Sequence, residues 1–201
     1  MKNFWKYACI GIVAVNLFVL IAIGVMLFSP MKDDAMPTDS PLEGAVEFQV
    51  KSNKEDLNRM IQSYIEQEAK NSPIELNMYL KDEVIMYGQI PVFSSGIDYK
   101  LTFEPKALDN GDIVLKQKEM KMGRVDLPVS YVMKTARDAY PFPKWVKFMP
   151  NDQMIYLSLN ELELKSDVKV RADRFDLKKD DIQFTLMLLE EEQGNNEAAQ
   201  Q

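Results

Sequence analysis

The side chains able to do covalent or acid/base chemistry are few. The 201 residues include no His and a single Cys, Cys9. Ser-His-Asp and Cys-His nucleophilic sites, His-ligated metals, zinc ribbons and disulfides are excluded on that basis alone. Carboxylates remain: Asp180 with Asp181, Glu161 with Glu163, and Asp173 with Asp176 are the close pairs. Adjacent strand residues point to opposite faces, and a glycosidase needs its two carboxyls at a set separation across a cleft. Solvated turns and strand edges account for these acids more simply. Ser130 and Lys134 would share one helix face, yet no oxyanion-hole signature accompanies them. Gly-rich phosphate loops and acidic calcium loops are absent from the sequence. We therefore expect no enzyme, no catalytic residue, no metal and no cofactor.

The elements that hold these residues begin with an apolar segment. Between Tyr7 and Met31 there is no charged side chain, and from Ala8 to Phe28 only Asn16 is strongly polar. Twenty-one helical residues at about 1.5 Å each match the roughly 30 Å hydrocarbon layer, which predicts a transmembrane helix. The run is longer than a signal-peptide core, and Phe28-Ser29-Pro30 offers no small-x-small cleavage site, so an uncleaved anchor is expected. Lys2 and Lys6 precede it, and the net charge of −7 leaves −9 on everything beyond residue 31. Positive-inside then puts the N-terminus in the cytoplasm and the bulk of the chain outside the cell membrane. An acidic chain also lacks the clustered Lys and Arg that neutralise phosphates, so nucleic acid is not a partner.

The expected organisation is a stub and anchor at 1–31, a Pro-, Ser- and Asp-rich linker at 32–44, one domain at 45–189, and a disordered acidic tail at 190–201. Within the domain, Ser52-Asn53-Lys54-Glu55 reads as a capping box before Leu57, Met60, Ile61, Tyr64 and Ile65, which recur at helical spacing, so a helix is expected over 54–70. Period-two alternation follows at 74–80 and 97–103, with Asn110-Gly111 placed for a positive-φ turn. Pro128 opens a second helix with Val129, Val132, Met133 and Ala136 on one face. Strands return at 154–159, 162–164, 168–177 and 182–188, with a phase slip between Ala172 and Phe175 that predicts a bulge. The class is α+β: an N-terminal transmembrane helix, then one ectodomain with a curved antiparallel sheet packed on two helices.

Such a sheet closes around either a solid core or an apolar channel. Ten of the 13 Met lie beyond residue 32, and flexible thioethers suit surfaces that repack around ligands as well as irregular cores. Tyr140, Phe142, Trp145 and Phe148, with Lys144 and Lys147 and two prolines, form an aromatic-basic stretch in an otherwise acidic domain. Amphipathic aromatics beside Lys suit a membrane interface or a partner groove.

The single N-terminal span ending in Phe-Ser-Pro, the acidic linker, LNRMIQSYIEQ, VIMYGQIPVFSSGIDYKLTFEPKALDNGDIVLK and MGRVDLPVSYVM together resemble the YpmS family, uncharacterised membrane-anchored proteins of Gram-positive bacteria. The resemblance covers nearly the whole chain. It implies an element order similar to small tubular lipid-binding domains, and a neighbouring secreted lipase as a possible envelope partner. Two functional expectations follow. In the first, Leu57, Ile61, Tyr64, Ile65, Met120, Met122, Val132 and Met133 line an apolar groove for a lipid or acyl chain, with Tyr140, Phe142, Trp145 and Phe148 at its mouth against membrane or partner. In the second, a solid-core scaffold recruits an envelope enzyme at the membrane surface.

Overall fold

The structure, a computed structural model, describes residues 4–28, 46–68, 75–92, 95–123, 127–139, 142–162, 164 and 168–188. The expected linker at 32–44, the tail at 190–201, and Tyr140 lie outside them.

The apolar segment forms helix α1, Phe4–Phe28. Where its side chains are described, over 11–25, they are exposed or half-buried all round, Phe18 at 72% and Leu20 at 66%. Among the described residues no helix is long and apolar enough to cross a membrane. The expectation of a transmembrane helix is thus met only in its helical part.

Strand β1, Val46–Ser52, turns directly into helix α2, Lys54–Glu68. Leu57 N–H donates to the Asn53 carbonyl at 3.1 Å, which makes Asn53 the N-cap. Its side-chain oxygen accepts the Asp56 N–H at 2.8 Å, and its amide reaches back to the Asp56 carboxylate at 2.7 Å. The cap therefore lies one residue later than the expected Ser52 with Glu55, and Asp56 meets the Asn53 side-chain amide instead of the backbone N–H of a full capping box. The shift arises because Ser52 is still held in the ladder, opposite Ile182.

A meander follows as expected: β2 (Glu75–Leu80), β3 (Val84–Val92), β4 (Ser95–Ala107) and β5 (Ile113–Met122). The β4–β5 turn uses Gly111 at φ +88°. A Cβ there would lie 1.8 Å from the Arg171 side chain, so both the left-handed backbone and the close approach require Gly. Helix α3, Val129–Ala139, precedes β6 (Val146–Met149) and β7 (Met154–Leu157). A 3₁₀ turn, Leu159–Glu161, follows β7, and Leu162 and Leu164 are not in the strand expected at 162–164. The closing hairpin is β8 (Val168–Asp176) with β9 (Asp181–Leu188), and its ladder slips between Ala172 and Arg174 as the phase of the sequence predicts.

The α+β class and antiparallel pairing agree with expectation, but the strands form two ladders: β1-β9-β8, and β2-β3-β4-β5-β7-β6. Both inner faces meet one core, where Leu101, Phe103, Val132, Met133, Phe148, Ile155 and Ile182 are buried together. β1 and β6 were not expected. The first repeats the period of two in Val46, Phe48 and Val50; the second is only four residues long inside an aromatic-rich stretch.

Candidate functional site

The eight residues expected to line a groove converge on that core with one exception. On α2, Leu57 and Ile61 are half-buried against it and Ile65 is buried, while Tyr64 sits at 43% exposure on the outer face. Met120 and Met122, at the end of β5, are half-buried against the same cluster. Val132 and Met133 on α3 are both at 0% exposure, so a ligand could touch them only if the core opened.

The aromatic-basic stretch is folded in. Phe148 is 1% exposed on β6, which places it in the core and not on a contact surface. The Phe142 ring packs on it at 4.6 Å between centroids. Trp145 is half-buried and its carbonyl accepts the Ser158 N–H at 2.8 Å. Lys147 pairs with Glu161 at 2.9 Å, leaving Lys144 as the exposed cation of the segment. The alternation of Val146, Phe148 and their neighbours is a strand signal that reads equally as an aromatic patch in sequence.

The apolar surface that does face solvent is elsewhere. On β1, Phe48 is 55% exposed, Val46 44% and Val50 40%, and Leu188 on β9 is 40% exposed. Paired residues share a face of a sheet, so Val46 lies with Leu188 and Val168, Phe48 with Leu186 and Val170, and Val50 with Phe184 and Ala172. This face is apolar across all three strands: buried at Val170 and Ala172, half-buried at Leu186 and Phe184, and open at β1. The strand alternation at Val46–Val50 is the signal that could have found it.

Two polar groups in the interior were also not foreseen. Tyr99 on β4 is 3% exposed and its hydroxyl is without a hydrogen-bond partner among the described residues. Burial pushes its pKa up from the ordinary value of 10.0. Asp112, 1% exposed, is fully engaged: Oδ1 accepts Leu159 N–H at 2.8 Å, and Oδ2 accepts the Tyr156 hydroxyl and the Asn110 amide. It binds the β4–β5 turn to the start of the 3₁₀ turn, which is why the chain coils at Leu159–Glu161.

Of the acids considered for catalysis, Glu163 lies outside the described residues and the others are likewise in structural use. Asp180 caps α2 by accepting Lys54 N–H at 2.7 Å, Asp181 pairs with Arg174 at 2.8 Å, and Asp173 accepts the Thr185 hydroxyl at 2.6 Å. Asp176 accepts Lys178 and Lys179 N–H in its turn, which holds its carboxyl below the ordinary range, led by the Lys179 bond. Lys134 pairs with Asp138 at 2.8 Å. Among the described residues no group of three or more acids, Cys or His could hold a metal ion. An open depression of about 680 Å³ lies along α2, lined by Lys54, Asn58, Arg59, Gln62 and Asp180. It is a charged surface hollow.

Compared with known sequences, residues 3–188 match a family described as an uncharacterized protein conserved in bacteria (DUF2140). The chain is 33% identical over 183 residues to the uncharacterized protein YpmS of Bacillus subtilis (strain 168), covering 91% of this chain and 96% of that one. No solved structure matches it.

Proposed function

The chain belongs to this family of uncharacterised proteins conserved in bacteria, and from that premise we propose a membrane-tethered, non-enzymatic domain outside the cytoplasm that binds a lipid or acyl chain. The observation that carries the reading is the open end of the three-stranded sheet, where Val46, Phe48, Val50 and Leu188 stand together in solvent. A face of this kind, continuous with a core, is unusual on a protein that binds nothing. Each CH₂ laid against it is worth about 0.8 kcal/mol, so an acyl chain gains affinity without any polar contact.

The tether in this reading is α1: from Tyr7 to Phe28 its sequence holds no charged residue and only Asn16 is strongly polar, with Lys2 and Lys6 ahead of that run, so it has no hydrophilic stripe to turn to water. Glu161, Asp173, Asp176, Asp180 and Asp181 serve caps, turns and ion pairs, which supports binding in place of catalysis.

Photolabelling of the full chain in membranes with a diazirine fatty acid tests the reading. Label is expected on peptides containing β1 and β9 and should fall several-fold in Phe48→Asp, while label on α1 stays constant. Label confined to α1 would reject it. A second reading, a solid-core module that holds an envelope enzyme near the bilayer, draws support from the complete burial of Val132 and Met133, and is the one favoured by that outcome.

A further inference from the structure

Of the outer edges of the two sheets, three are occupied or short. β2 is closed by α2: Asn58 accepts Leu80 N–H at 2.7 Å and donates to its carbonyl at 2.9 Å, and Gln62 donates to the Met78 carbonyl at 2.9 Å. β8 gives its outward Ala172 N–H to the Gly111 carbonyl at 2.7 Å. β6 is only four residues long. The fourth edge, β1, runs seven residues without Pro, Gly or bulge, pairs continuously with β9 on one side, and is exposed over Val46–Lys51. Proteins ordinarily blunt such an edge, because its unpaired N–H and C=O groups invite another strand.

We propose that β1 pairs antiparallel with β1 of a second copy of this chain, about a two-fold axis at Gln49. The strand reads Val46-Glu47-Phe48-Gln49-Val50-Lys51-Ser52. Folded about Gln49, Glu47 falls opposite Lys51 of the second copy, and Lys51 opposite its Glu47. On the other face Phe48 falls opposite Val50, and Val50 opposite Phe48. Oppositely charged and aromatic–β-branched cross-strand pairs are the favourable ones, and two-fold symmetry makes each occur twice. Among the described residues neither Glu47 nor Lys51 has an ion-pair partner within its own chain. A register moved by two residues would lose the matched charges, so the charge pattern selects one alignment. The product is a six-stranded sheet, β8-β9-β1-β1-β9-β8, with both apolar faces on the same side. This pairing is independent of what that apolar face binds.

Disulfide trapping on the full chain in membranes tests it, in a Cys9→Ser background. In the proposed register Gln49 meets its own copy at a Cα separation of about 4.5–5.5 Å, within disulfide reach. Glu47 is four residues, about 13 Å, from its own copy. Gln49→Cys should oxidise to a dimer and Glu47→Cys should not, whereas Glu47→Cys mixed with Lys51→Cys should. Adding Glu47→Lys to Gln49→Cys should cut dimer several-fold, and adding Lys51→Glu as well should restore it, which excludes misfolding as the cause. Equal trapping at 47 and 49, no trapping at 49, or indifference to charge reversal would each overturn the pairing.

Discussion

Tyr99 illustrates how a single atom can stand apart from an otherwise self-consistent interior. Its ring belongs to the core and its register is opposite Gly88 and Met122, where neither neighbour offers a polar side chain. A buried hydroxyl without a partner is a net cost of about 1–3 kcal/mol, so Tyr99→Phe should raise stability by about 1 kcal/mol in urea melts. Because burial raises the folded-state pKa above the unfolded value of 10.0, the unfolded chain releases this proton first. Stability is therefore intact below pH 10 and declines as pH rises above it, and the Phe variant should lose that part of the decline. The sequence shows Tyr99 only as an inward position in the alternation Ile97, Tyr99, Leu101, Phe103; whether a hydroxyl finds a partner depends on neighbouring strands. Asn110-Gly111 lies at the other extreme. The dipeptide announces its turn locally, and the turn is there.

Elements were legible where one period ran long enough. The α2 stripe and the β2–β5 meander satisfy a single periodicity over many residues, and both form. The transition at residues 52–54 was misread because two capping pairs overlap, Ser52 with Glu55 and Asn53 with Asp56. The choice between them is made by Ser52 pairing with Ile182, 130 positions away. The groove lining could not be separated from core for the same reason: an inward apolar residue looks identical in sequence whether the space beyond it is filled or open. α2 also carries a role invisible to hydropathy. Asn58 and Gln62 are polar yet face the sheet, satisfying the β2 edge. Asn58→Leu should cost about 1–3 kcal/mol by leaving Leu80 N–H and C=O unpaired. Its neighbour gives the contrast: Arg59 is largely exposed, with Glu55 and Asp56 as its ionic partners, and Arg59→Ala should shift thermal melting by less than about 0.5 kcal/mol.

At the scale of the molecule, charge and hydropathy are partitioned along the chain. The first 31 residues hold two Lys and no acid, and the acidic excess belongs to the rest. In the proposed arrangement α1 fixes the domain to the bilayer, and Leu17→Asp with Leu20→Asp should move the protein from the carbonate-resistant membrane fraction to the supernatant. Retention of the wild-type fractionation by that variant would remove α1 as the tether. This partition was readable from composition alone; the division into two ladders was not, since it depends on which strands find each other.

The amide contacts between α2 and β2 have a further bearing on how this chain can change. Four helical residues advance about 6 Å and two strand residues about 6.8 Å, so Asn58 and Gln62 meet Leu80 and Met78 in step. One inserted residue between them would rotate everything beyond by about 100°, carrying Gln62 off the edge and Ile65 out of the core together. Length variation in the family should therefore be absent between residues 58 and 65, even where the outer positions of the helix differ freely.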